Sequence, residues 1–265
     1  MAEVTNSVTN DSALIPLASP ANKQARIAAD NICGINSTYD GTQGTAIIRI
    51  FDMVIASTGA REKLLNSNNI PYLKSYTNSF SHATYYPGAM QMNIKLIWHK
   101  ETGKLLGGQI VGFDGVDKRI DVLAAAVKFG LSPKNLTELE LSYAPPFSSA
   151  KDPVNMAGYT ASNIIDGHMK VFYAEDIEKL DPDKDILIDV RTAHEYSEGT
   201  IKNAVNIPVD ELRQRLGEVP SDKNIYVFCQ IGLRGYLAER ILEQNGFKNV
   251  KNLSGGYGIY SLMQN

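Results

Sequence analysis

Cysteine is scarce in this chain. Cys33 and Cys229 are the only two among 265 residues, too few for a disulfide framework and in keeping with a reducing, cytoplasmic setting. Four scattered histidines, His82, His99, His168 and His194, never stand at metal-ligand spacing with those cysteines, which argues against a zinc site. Long apolar runs are missing too. The longest uncharged stretch, residues 75–94, is full of Ser, Thr, Asn and Tyr, so no membrane span is expected. No basic segment precedes an apolar stretch at the start, so no secretory leader is expected. The net charge of −3 leaves no electrostatic footprint for nucleic acid. Neither a G-x-G-x-x-G turn nor a phosphate-binding loop occurs, so nothing cradles a dinucleotide.

What remains is a chain able to bury a real core, with 43% hydrophobic and 21% charged residues. Its texture changes near Asp166-Gly167-His168, where a helical pattern stops at a glycine and the acidic excess begins. Residues 1–11 read as loosely held. A helix follows, with Ser19 as N-cap, Pro20 in the first turn, Gly34 as the stop, and Ile27, Ala28 and Ile32 as its apolar stripe. Residues 45–51 and 52–57 read as strands, and residues 91–99 and 104–113 as a hairpin around Lys100-Glu101-Thr102-Gly103. Residues 116–129 repeat apolar side chains at helical spacing, 141–153 form a Pro- and Ser-rich loop, and a last helix runs from Asp152-Pro153 to Ile165. Sheet followed by segregated helices implies an α+β unit with an antiparallel sheet.

After residue 167 the pattern alternates. Short apolar strands at residues 186–190, 204–206 and 225–228 are separated by helix-like segments at 193–197, 209–216 and 233–245. That rhythm predicts a small α/β domain with a mainly parallel sheet. Ligands bind beyond the carboxyl ends of such strands.

Cys229 stands at one of those ends, followed by Gln230-Ile231-Gly232-Leu233-Arg234 and then a helix. A strand-to-helix loop gathers backbone N–H groups, and the helix N-terminus adds partial positive charge at the same point. Gly232 permits the backbone conformation such a cradle needs, and Arg234 supplies a cation that can fork around an oxyanion. Together they favour a thiolate and nucleophilic chemistry at Cys229, with Arg234 as its catalytic partner and Gln230, Ile231, Gly232 and Leu233 as the substrate-binding loop. A plainer reading is also open: a small buried residue packed at a strand end.

The stretch Leu187-Ile188-Asp189-Val190-Arg191, then Glu195, Glu198-Gly199-Thr200-Ile201, Asn203-Ala204-Val205-Asn206-Ile207-Pro208, Cys229-x4-Arg234 and Leu253-Ser254-Gly255-Gly256-Tyr257 resembles the rhodanese family in sequence and order. The resemblance covers about residues 168–263. It implies that Cys229 takes a sulfane sulfur as a persulfide from a small donor and passes it to a thiol acceptor. Thr200 stands where the family commonly has His. Relatives with a loop one residue longer are phosphatases, so Cys-x4-Arg points to sulfur instead. Asp189 and Arg191 are expected to pair structurally.

Residues 3–165 resemble the end of a flavin-dependent pyridine nucleotide–disulfide oxidoreductase of the coenzyme A-disulfide reductase group, whose members can carry a rhodanese domain. The matching runs are residues 13–24 and 26–32, Tyr85-Tyr86-Pro87-Gly88-Ala89, and residues 143–155. The resemblance implies a remnant of the FAD-binding domain at 1–34, a dimerisation domain at 35–166 and a rhodanese domain at 167–265. It also implies FAD, NAD(P)H and coenzyme A for the intact family. It further implies a homodimer or association with a flavin-binding partner, and tyrosines that reach the partner subunit's active site. Candidates for those are Tyr85 or Tyr86, with Tyr86 preferred, and Tyr143; each could equally pack a dimer interface. Without the dinucleotide-binding units, no cofactor is expected to be held stably by this chain alone. Its function is therefore expected to be sulfur transfer at Cys229, the alternative being service as a fragment or subunit of a reductase of coenzyme A disulfides, persulfides or polysulfides.

Overall fold

A computed structural model describes residues 2–264, which divide into two units: residues 2–74 with 79–159, and residues 75–78 with 160–264. The first unit opens with β1 (Val4–Thr5) and β2 (Ser12–Ala13), paired antiparallel. The stretch expected to be loose is thus a small hairpin. Asn6, whose side-chain oxygen accepts the N–H groups of Val8 and Thr9, turns the chain between the strands. Helix α1 (Ala18–Ile32) begins two residues earlier than expected. Leu17 is its N-cap without a side-chain hydrogen bond, and Ser19 lies inside the first turn. Pro20 is the only buried residue of α1, and Ile32 is 87% exposed. The apolar stripe read from the sequence has little to pack on.

The sheet of this unit comprises β3 (Ala46–Ile50), β4 (Met53–Gly59), β5 (Tyr72–Phe80), β6 (Gln91–His99) and β7 (Leu105–Gly112), with α2 (Glu62–Ser67) between β4 and β5. The spatial order is β3-β4-β7-β6-β5, and β3/β4, β4/β7 and β6/β7 pair antiparallel. Met92, Ile94, Leu96 and Trp98 alternate inward along β6, the period that buries one face of a sheet. Helix α3 (Val116–Lys128) buries Val116, Arg119, Ile120, Leu123, Ala126 and Val127, one stripe at helical spacing. Arg119 is buried because it ties down the loop before the last helix. Its guanidinium donates to the carbonyl of Ser81 at 2.8 Å and to Asp152 at 3.0 Å. Helices α4 (Pro133–Glu138) and α5 (Pro153–Ile165) complete the region.

The second unit carries β8 (Val171–Phe172), β9 (Asp185–Asp189), α6 (Ala193–Glu198), β10 (Val205–Asn206), β11 (Asn224–Phe228), α7 (Leu233–Gln244), β12 (Val250–Leu253) and α8 (Gly256–Met263). Its sheet has the order β10-β9-β11-β12-β8, and every pair is parallel. Ile188, Val190, Ile225 and Val227 pack with Ile241 and Leu242 of α7 in one apolar cluster, while Leu187, Phe228 and Leu253 belong to another. A strand buried on both faces reads as a continuous apolar run. Residues 209–216, expected to be helical, form turns over 209–214 instead, and Leu216 starts a short 3-10 helix (Leu216–Glu218). Among the described residues no helix is long and apolar enough to cross a membrane.

Candidate active site

Because all five strands of the second unit run the same way, their carboxyl ends share one edge of the sheet. Three adjacent strands deliver the site there: β9 leads into Asp189–Arg191, β11 into Cys229, and β12 into Ser254–Gly256.

Cys229 is fully buried. Gly232 lies at φ +101°, a conformation that side chains disfavour, and its N–H donates to the Cys229 Sγ at 3.2 Å. Two helix N-termini clasp the loop. The Gly232 carbonyl accepts the Tyr236 N–H of α7 at 2.9 Å and the Asn252 side-chain amide of β12 at 2.9 Å. At α8, the Tyr257 N–H donates to the Cys229 carbonyl at 2.8 Å and the Gly258 N–H to that of Gln230 at 2.9 Å. This approach requires glycine at 256, where a Cβ would stand 2.4 Å from the Cys229 carbonyl oxygen.

Both arginines beside the loop are committed to carboxylates. Arg191 and Asp189 are buried, and the Arg191 Nη2 donates to Asp189 Oδ2 at 2.8 Å and to the Gly199 carbonyl at 2.6 Å. Its Nη1 donates to Gln230 at 3.2 Å, and its guanidinium lies 4.2 Å from the Tyr257 ring centroid. The Thr200 hydroxyl donates to Asp189 at 2.8 Å, so threonine at this position serves the same ion pair.

Arg234 forms a fork with Glu195. Its Nη1 donates to Oε2 at 2.7 Å and its Nη2 to Oε1 at 2.6 Å. Glu195 is held in turn by a capping box at the start of α6, where its carboxylate accepts the Thr192 N–H and hydroxyl. The Arg234 hydrogen bond, against some desolvation, holds the Glu195 carboxyl at about 2. Glu195 first, and the Cys229 sulfur after it, raise the Arg234 guanidinium above its ordinary value. Of the remaining loop residues, Ile231 and Leu233 are exposed and Gln230 is half-buried.

Sequence reasoning quoted Glu195 among the matching residues but gave it no part. Its signal was Thr192-x-x-Glu195, the capping-box spacing that fixes a carboxylate at a helix start. Asn252 went unnoticed because β12 is too short to stand out by pattern. Behind the site, Glu239 of α7 accepts the Lys170 N–H at 2.6 Å, and burial pushes its carboxyl up to about 8.

The tyrosines belong to the first unit. The Tyr143 hydroxyl lies 2.9 Å from that of Tyr85, and Tyr86 instead packs edge-on against the His82 ring. Tyr85 and Tyr143 are exposed. Among the described residues, no cluster of three metal-ligating side chains occurs. The described strand pairs of the first unit's main sheet are antiparallel, and α1 presents a mostly exposed surface.

The family model for the pyridine nucleotide-disulphide oxidoreductase dimerisation domain matches residues 45–155, and that for the rhodanese-like domain matches residues 173–261. The crystal structure of reduced Bacillus anthracis CoADR-RHD is 51% identical with a TM-score of 0.94, covering 98% of this chain and 46% of that one. A NAD-dependent persulfide reductase from A. fulgidus is 37% identical with a TM-score of 0.88, covering 97% and 46%. The coenzyme A disulfide reductase of Staphylococcus haemolyticus is 39% identical over 153 residues, 57% of this chain and 34% of that protein. The chain thus spans under half of these two solved structures and about a third of the curated relatives it matches. The chain carries a pyridine nucleotide-disulphide oxidoreductase dimerisation domain followed by a rhodanese-like domain.

Proposed function

We propose that the chain is a sulfurtransferase in which Cys229 carries sulfane sulfur as a persulfide. The observation that carries this reading is the Gly232 N–H on the Cys229 Sγ, in a loop clasped by two helix N-termini. Amides aimed at a sulfur stabilise negative charge there without any reorganisation. With a hydropersulfide donor, the Cys229 thiolate attacks the outer sulfur, the donor S–S bond breaks, and the donor leaves as a thiolate, giving Cys229–S–SH. With thiosulfate the leaving group is sulfite and the product is Cys229–S–S⁻. An acceptor thiolate then attacks the outer sulfur and restores the Cys229 thiolate. Burial of Cys229 keeps water from the persulfide.

The test is transfer in two steps. Protein treated with a persulfide or thiosulfate should gain about 32 Da, one sulfur, and lose it again when a thiol acceptor is added. Cys229→Ser should gain nothing. Retention of the added mass by that variant would overturn the reading.

A second reading is favoured by the exposed Tyr85–Tyr143 hydroxyl pair at 2.9 Å. Here the first unit serves as one face of a homodimer, or docks a flavin-binding partner, within a reductase of coenzyme A disulfides, persulfides or polysulfides. The names of the relatives support it. FAD would then be held by the flavin-binding partner, and Cys229 would supply or receive the sulfur. A cytoplasmic setting goes with this reading, since Cys33 and Cys229 are both free.

A further inference from the structure

We infer that Glu195 is a specificity-determining residue of the sulfur-transfer site: by holding Arg234 in a two-pronged ion pair, it withholds that cation from the donor and disfavours dianionic sulfur compounds. The inference rests on the sulfur-carrier reading of Cys229.

Arg234 is the loop's own cation, six positions into the strand-to-helix turn, where a free guanidinium would clamp an incoming oxyanion. Each of its terminal nitrogens donates to one Glu195 oxygen, at 2.6 and 2.7 Å, which leaves the Cys229 sulfur as a weaker partner of the same guanidinium. The second arginine at this edge is no freer. Arg191 is shared between Asp189, Gly199 and Gln230 and is buried. With Cys229 as a thiolate, the five charged groups Cys229, Arg234, Glu195, Arg191 and Asp189 sum to one negative charge. Backbone amides remain to meet a donor. They suit a donor of one charge or none better than thiosulfate, which brings two.

Glu195 is also not free to swing aside. The capping box at Thr192 fixes it from behind, so the fork is a standing feature of the site. The same box makes Glu195→Gln a clean probe. Glutamine at the third helical position preserves the cap while removing the charge.

The experiment compares the full chain and its Glu195→Gln variant, both in a Cys33→Ser background, with two readouts. The first is single-turnover loading of sulfur by thiosulfate and by a small aliphatic hydropersulfide, followed by intact mass. The variant should raise the thiosulfate-to-hydropersulfide rate ratio about tenfold, the scale of one unit charge acting across several ångströms at a partly exposed site. The second is Cys229 alkylation by iodoacetamide at neutral pH, which should quicken several-fold as Arg234, no longer shared with a carboxylate, gives more of its charge to the sulfur. A merely structural Glu195 would slow both donors alike and leave their ratio unmoved. An unchanged ratio together with unchanged alkylation overturns the inference while sulfur loading itself stands. If neither donor loads the parent protein, the carrier reading falls, and the alkylation comparison alone decides whether Glu195 holds the cation from Cys229.

Discussion

Replacing Gly256 by alanine should damage the second unit far more than the same change at Gly246, a left-handed glycine in open space. At Gly256 (φ +65°) the added Cβ would lie 2.4 Å from the Cys229 carbonyl oxygen and 2.7 Å from that of Gln230. Contacts below 3.0 Å do not occur for real Cβ atoms, so α8 and the loop must part by at least 0.6 Å. That weakens two hydrogen bonds, Tyr257 N–H to Cys229 and Gly258 N–H to Gln230. At about 1 kcal/mol each, plus about 1 kcal/mol for the left-handed backbone, the loss is about 3 kcal/mol. Gly246 is the control. It sits at φ +88° after α7 with nothing within 4 Å of its Cβ position, so alanine there costs only the backbone strain, about 1 kcal/mol. Urea unfolding of the full chain, followed by far-ultraviolet circular dichroism, measures both. Gly256→Ala should also alter Cys229 alkylation, and Gly246→Ala should not. Equal losses for the two variants, or a Gly256→Ala loss below about 1 kcal/mol, would refute the clasp between α8 and the cysteine loop.

Other consequences are open to direct measurement. Arg191→Leu strands the fully buried Asp189 carboxylate and should cost about 3–5 kcal/mol by urea unfolding, whereas Arg215→Leu, at an exposed pair with Glu218, should cost under about 1 kcal/mol. Glu239 binds its proton up to about pH 8 in the folded chain, against 4.5 as its ordinary value. Its favourable contribution is therefore complete below pH 4.5 and is lost as pH rises towards 8. Relative to Glu239→Gln, the parent should weaken by about 1 kcal/mol per pH unit across that window in pH-resolved unfolding. Tyr143→Phe removes an exposed hydroxyl contact and should change stability by under about 0.5 kcal/mol, with sulfur loading at Cys229 unaltered.

Much of the second unit could be read from the chain itself, because its parallel strands are buried on both faces and appear as short apolar runs such as Ile186-Leu187-Ile188 and Ile225-Tyr226-Val227-Phe228. The hairpin of β6 and β7 and helix α3 were equally plain, since alternation and helical spacing survive where one face is buried. Strand β5 was hidden: Lys74, Ser75 and Thr77 are buried polar residues, so the face that turns inward does not look hydrophobic. Residues 209–216 misled in the opposite sense. Val209, Leu212 and Leu216 repeat at helical spacing, yet the chain makes turns there that let Leu212 reach the core. At the site, the cysteine, its glycine and its arginine stood in one segment and were visible together. Glu195, 39 residues before Arg234, and the α8 amides depend on strand order, which no local pattern records.

The central claim is that one sulfur atom, on one of two cysteines, is the carrier. Peptide mapping by mass spectrometry, after exposure to a persulfide donor and trapping of the product, reads this directly. The expected result is a single trapped sulfur on the peptide containing Cys229, with Cys33 unmodified. Sulfur found on the exposed Cys33 alone, or on neither cysteine, would contradict it.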